Sequence, residues 1–217
     1  MKPDLTFAIL LGGELVPDER VRSLVEGARA IAADGGMAHA AALGLWPELW
    51  VGDFDSAPQD MLSRHGDVPR QAFPAEKNFT DGELAVEEAI DRGATRLILV
   101  GAFQGPRTDH AIYHLLQAVT LAEKGLRVVL TSGLEEAFPL LSGSYEFNLP
   151  AGSLFSVIAL TDLEGLSLEG AKYPLEGIDI AFGASRTISN VVTGPLRVGL
   201  KSGRAMLLAR PHDFSGY

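Results

Sequence analysis

The stretch Leu97-Ile98-Leu99-Val100-Gly101-Ala102-Phe103-Gln104-Gly105-Pro106-Arg107-Thr108-Asp109-His110 decides the fold class. It opens on an uninterrupted apolar run and turns through a glycine-containing loop. It then delivers Arg, Asp and His into Asp109 to Lys124, where apolar residues recur at three- and four-residue spacing. A second apolar run, Val128 to Thr131, follows. Short strands without polar alternation are buried on both faces, and strands that alternate with helices imply a mostly parallel sheet covered on either side.

The same texture extends toward the N-terminus. Phe7 to Leu11, Ile31 to Ala33 and Leu49 to Val51 read as strands, and Arg20 to Ala28, Met37 to Leu43 and Asp81 to Arg92 as helices. Past about residue 140 the pattern changes to short β-like pieces cut by Gly, Pro, Asn and Asp: Leu154 to Leu160, Thr187 to Val192, Leu196 to Leu200 and Ala205 to Ala209. No amphipathic helix is expected there. The predicted architecture is an α/β domain over residues 1–140 and an all-β, sandwich-like domain over residues 141–217.

Composition narrows the chemistry. A formal net charge of -10 argues against a surface that coats nucleic acid, which needs clustered Lys and Arg. The chain has no cysteine, so disulfides, thiolate metal sites and cysteine nucleophiles are excluded and any metal must be held by oxygen or imidazole. No stretch approaches the roughly 20 apolar residues of a membrane helix, and the first apolar run is too short for a signal peptide core. A soluble protein of the reducing cytoplasm is expected.

Ligands of open α/β sheets sit at the carboxyl ends of the strands. Gly12-Gly13 follows the first strand, Asp34-Gly35-Gly36 the second, Gly52-Asp53-Phe54-Asp55-Ser56 the third, and Gly101 to His110 a later one, so these segments should converge on one rim. If the extended backbone continued past Gly52, Asp53 and Asp55 would project to the same side. Adjacent carboxylates suit a hard cation, and magnesium takes one or two of them together with substrate phosphates. Ser56 with Gln59 also reads as a plain capping box, which leaves the two aspartates unexplained.

In Glu76-Lys77-Asn78-Phe79-Thr80-Asp81, Thr80 and Glu83 form a capping pair, and Asp81 suits the first turn of a helix. Lys77 just ahead of that helix N-terminus brings a cation to a point where phosphate binds. Arg107 can clamp phosphate oxygens in a bidentate fork. Asp109 has helix capping as its ordinary explanation. His110 and His114 lie one turn apart, but without further imidazole partners a satisfied helix histidine is the expectation. No Walker loop, dinucleotide glycine fingerprint or zinc-protease motif occurs, so a nucleotide would be held by another scheme. The residues alone lead to a nucleotide-dependent transferase with an unnamed acceptor.

The ordered set Ala33-Asp34-Gly35-Gly36, Pro47-Glu48-Leu49-Trp50-Val51-Gly52-Asp53-Phe54-Asp55-Ser56, Lys77-Asn78-Phe79-Thr80-Asp81 and Arg107-Thr108-Asp109-His110 resembles the thiamine pyrophosphokinase family. Ser189-Asn190 is similar to a pair in that family's β-rich domain. The resemblance implies transfer of the ATP diphosphate to the thiamine hydroxyl with release of AMP, by a homodimer that binds thiamine where the catalytic domain of one chain meets the β-domain of the other. It implies magnesium on Asp53, Asp55 and Asp81, and ATP phosphates on Lys77 and Arg107, with Asp34, Gly35, Thr80 and His110 also on the ATP side. It places Asp109 on the substrate side and Ser189 and Asn190 near thiamine.

The chain departs from the family pattern at Asn78, where an Asp is usual, at Gln104 and Pro106 in the glycine loop, and at His114, where an Asn is usual. Both tryptophans, Trp46 and Trp50, fall in the first domain, so an aromatic contact from the second would come from Tyr173 or Phe182. Two alternatives stand beside this one: a pyrophosphokinase of the same architecture acting on a hydroxymethylpterin, and a catalytically silent thiamine- or nucleotide-binding module.

Overall fold

A computed structural model describes residues 5–54, 59–73 and 79–216. The chain gathers into two compact units, one of Met1–His114 with Gly125–Gly133 and one of Leu115–Lys124 with Leu134–Tyr217.

The first unit is built on six parallel strands: β1 (Thr6–Leu10), β2 (Arg29–Ala33), β3 (Leu49–Gly52), β4 (Arg70–Ala72), β5 (Arg96–Val100) and β6 (Arg127–Thr131). Their order is β6-β5-β1-β2-β3-β4. From Phe7 to Leu10 and from Leu97 to Val100 every residue has zero exposure, which is why these strands are continuous apolar runs. Helices α1 (Glu19–Val25), α2 (Ala40–Leu43), α3 (Gln59–Arg64), α4 (Asp81–Asp91) and α5 (Thr108–Glu123) join them. Helix α1 starts where Asp18 Oδ1 accepts the Val21 N–H at 2.8 Å. Helix α4 starts at the full capping box expected of Thr80 and Glu83. Helix α5 belongs to this unit through His114 and to the second from Leu115.

Two elements of this unit were not anticipated, and one differs. Strand β4 is three residues long with no buried position, and α3 buries no residue completely, so neither carries a periodic apolar signal. The helix expected over Met37 to Leu43 is a 3-10 turn over Asp34–His39 followed by the four-residue α2. Asp34 enters it with φ of 43°, outside the helical region, and Gly44 ends α2 at φ of 66°.

The second unit holds β7 (Glu136–Leu140), β8 (Gly143–Phe147), β9 (Leu154–Ala159), β10 (Leu163–Ala171), β11 (Leu175–Ile180), β12 (Asn190–Leu200) and β13 (Ala205–Arg210). All its strand pairs are antiparallel. Strand β12 pairs β9 at Asn190–Val191, whereas its later part pairs β8 on one side and β10 on the other. The buried residues Leu140, Phe155, Val157, Leu166, Val198 and Leu207 share the core between them. The two strands expected at Thr187 to Val192 and Leu196 to Leu200 are this single strand: Gly194-Pro195, which reads as a turn, is passed without a break, and Thr187 to Ser189 precede it in a turn. Among the described residues, no helix is long and apolar enough to cross a membrane.

Candidate active site

Strand order in the first unit reverses at β1. The chain moves from β1 to β2, β3 and β4 in one direction, while β5 and β6 lie on the other flank. At such a reversal the loops leaving neighbouring strands part and leave a crevice beyond the carboxyl ends. A cleft of about 460 Å³ opens there, walled by Gly12-Gly13 after β1 and by Gly101 to Gln104 after β5.

Glycine is required where these loops touch. A Cβ on Gly13 would stand 2.3 Å from the Gly101 carbonyl oxygen, and one on Gly36 would stand 2.0 Å from that of Leu10. The Gly13 N–H donates to the Gly101 carbonyl at 3.1 Å, and His39 Nε2 donates to the Gly13 carbonyl at 2.9 Å. The rim is thereby fixed by backbone.

Asp34, Gly35, Asp53, Thr80, Asp81, Arg107 and His110, all singled out from the sequence, line this cleft. Asp55 and Lys77 lie outside the described residues, as do Ser56 and Asn78. Asp34 and Gln104, which line the cleft, and Phe54, which follows Asp53, have φ of 43°, 70° and 61°. Non-glycine residues in that region cost roughly 1–3 kcal/mol each and persist where the surroundings over-determine them. For Asp34 one constraint is visible: its carbonyl accepts the Trp50 indole N–H at 2.9 Å, and Trp50 is wholly buried. At φ of 61° Phe54 itself is not extended, and the expectation for the Asp53 and Asp55 pair falls on a residue outside the described ones.

At the start of α4, Thr80 Oγ1 accepts the Glu83 N–H at 3.1 Å, and the Glu83 carboxylate accepts the Thr80 N–H at 2.8 Å. Burial and the Glu83 carboxylate both push the Tyr113 hydroxyl well above its ordinary pKa. Asp81, in the first turn, faces the cleft with Asp53. These are hard oxygen donors, and they fit a magnesium ion held by one or two carboxylates and completed by phosphate oxygens and water. Among the described residues, no three acidic or imidazole side chains gather into a ready-made cage.

Arg107 and Asp109 meet in a fork, Nε to Oδ1 at 2.9 Å and Nη2 to Oδ2 at 2.7 Å, with both side chains mostly exposed. The hydrogen-bonded guanidinium holds the Asp109 carboxyl far below the usual carboxylate range. His114 is buried and its Nδ1 donates to the Ala102 carbonyl at 2.7 Å, the satisfied helix histidine that was expected. Burial lowers its pKa.

In the second unit, Ser189 is exposed at φ of 60° and its N–H donates to Ser156 Oγ at 3.0 Å. Asn190 is only 4% exposed. Its Oδ1 accepts the Tyr173 and Val191 N–H groups at 3.0 and 2.9 Å, and its Nδ2 donates to the Tyr173 carbonyl at 2.8 Å. The Asn190 amide therefore clamps the backbone of Tyr173, a residue 60% exposed with Lys172 Nζ 5.9 Å from its ring centroid. Nothing in the sequence signals this clamp, or the hydrogen bonds from His39 and Trp50, since they join residues 16 to 26 positions apart through the folded chain.

The family model for the thiamin pyrophosphokinase catalytic domain matches residues 21–130, and that for the thiamin pyrophosphokinase vitamin B1 binding domain matches residues 145–206. Over 197 residues the chain is 28% identical to a Bacillus subtilis protein named thiamine pyrophosphokinase, covering 85% of this chain and 88% of the relative. The solved structure of thiamine pyrophosphokinase from Bacillus subtilis is similar at a TM-score of 0.83 and 20% identity, covering 96% of this chain and 100% of that one. The thiamin pyrophosphokinase structure from Geobacillus thermodenitrificans is similar at a TM-score of 0.82 and 25% identity, covering 98% and 100%.

Proposed function

The chain belongs to the thiamine pyrophosphokinase family, and we propose that it transfers the diphosphate of ATP to the hydroxyl of thiamine, giving thiamine diphosphate and AMP. The observation that carries this is the gathering of Asp34, Asp53, Asp81 and Arg107 around one cleft at the reversal of strand order. Phosphoryl transfer asks a protein mainly for positioning and charge neutralisation, which an acid cluster and a guanidinium across a cleft supply.

In this reading residues 1–140 form the catalytic, ATP- and magnesium-binding domain and residues 141–217 the thiamine-binding domain. The thiamine hydroxyl attacks the β-phosphorus, the bond from that phosphorus to the oxygen bridging it to the α-phosphorus breaks, and AMP leaves. Asp53, Asp55 and Asp81 hold magnesium, which when bound offsets the charge of the phosphates. Lys77 and Arg107 grip phosphate oxygens. Asp34, Gly35, Thr80 and His110 shape the ATP side, with Thr80 serving first as the cap of α4. Asp109, released from Arg107 as phosphate arrives, organises the substrate side; Ser189 lies near thiamine in the β-domain, and Asn190 acts through the chain at Tyr173.

The working enzyme is a cytoplasmic homodimer. The exposed apolar side chains Tyr173, Phe182, Ile188 and Phe214 of the second unit are surface that a partner or ligand would cover. AMP release from magnesium and ATP, with thiamine, a hydroxymethylpterin or no acceptor, tests the function. Thiamine-dependent AMP with matching thiamine diphosphate is expected. Dependence on the pterin would change the acceptor, and silence with every acceptor would leave a binding module.

A further inference from the structure

Trp50 stands in the core of the first unit, yet it reaches both acid-bearing turns of the cleft. It lies on β3 opposite Ala32 of β2, with zero exposure. Its indole N–H crosses to the Asp34 carbonyl at 2.9 Å, at the point where the chain leaves β2 with φ of 43°. Its ring meets that of Phe54 at 5.1 Å between centroids, the planes at 88°, and Phe54 is the left-handed residue that follows Asp53. The Arg70 guanidinium lies 5.4 Å from the same ring, which braces it from β4. Gly52 completes the arrangement: a Cβ there would stand 3.5 Å from the Asp34 Cα, so the end of β3 packs directly on the Asp34 turn.

We propose that Trp50 is a positioning residue for nucleotide binding, whose indole N–H holds the Asp34 backbone in its left-handed conformation and so sets where the Asp34 carboxylate stands in the cleft. Its ring fixes the turn after Asp53 through Phe54. An aliphatic side chain at this position would fill the same core but take the indole donor away from the Asp34 carbonyl. This inference rests on the nucleotide-binding function proposed above.

The test uses the whole chain and a non-hydrolysable ATP analogue with magnesium. Trp46→Phe leaves Trp50 as the remaining indole of the two in the sequence, and its emission should change as the analogue binds. By calorimetry Trp50→Phe, which keeps a ring against Phe54 and loses the N–H, should bind the analogue about tenfold more weakly. In an Asp34→Ala background Trp50→Phe should add no further weakening, because its effect passes through the Asp34 carboxylate. A parent that binds while Trp50→Phe binds equally well, or losses that simply add in the double variant, would make Trp50 a core residue and nothing more. Should Trp50→Phe fail to fold, an unchanged Trp50 emission in Trp46→Phe at saturating analogue overturns the inference by itself. A parent that binds no nucleotide at all would instead sink the functional proposal, and this inference with it.

Discussion

Arg107 and Asp109 carry opposite charges that offset each other in their ion pair. Arg107→Lys removes the planar fork, and a point charge cannot replace two parallel N–H donors to a phosphate. The KM for ATP is expected to rise about tenfold with a smaller change in the KM for thiamine, read from initial rates. An unchanged KM for ATP would return Arg107 to the surface. His114 supplies a pH test of stability. Its folded pKa lies below the ordinary 6.5, so the unfolded chain takes up the proton first as pH falls. Stability should therefore decline as pH drops below about 6.5 toward the lower folded pKa, and His114→Asn should flatten that part of a Tm-against-pH curve. A curve of the same slope in the variant would show that another group controls it.

At the scale of elements, the capping box of α4 both starts the helix and places Asp81 at the cleft. Thr80→Ala removes the acceptor for the Glu83 N–H and should cost about 1 kcal/mol, a drop of roughly 2–4 °C in Tm, with Thr80→Ser restoring most of it. Equal Tm values for all three would mean the cap contributes nothing. That box was legible because its two partners are three residues apart. Strands β1, β2, β3, β5 and β6 were legible because burial on both faces makes them unbroken apolar runs. Strands β8 and β11 were not, since their burial patterns are mostly exposed or intermediate. Strand β7 hides a buried Glu136 and carries Pro139. The glycine turns of the site could be read because a missing side chain shows in the sequence. The Trp50 to Asp34 bond could not, because it depends on the β2 to β3 register.

For the molecule as a whole, the family match covers both halves of the chain, and the cleft lies at the reversal of strand order in the first unit. The proposed function places magnesium-dependent diphosphate transfer in this one cleft. Asp53 is the described carboxylate best suited to test that, because asparagine preserves its size and removes its charge. The most direct measurement is thiamine diphosphate and AMP formed per minute by the parent chain and by Asp53→Asn, across a magnesium titration, with circular dichroism confirming the fold of each. Equimolar products are expected from the parent, no product without magnesium, and a rate lower by at least about 100-fold in Asp53→Asn. Parent-like turnover and magnesium dependence in a folded Asp53→Asn would contradict the proposed function.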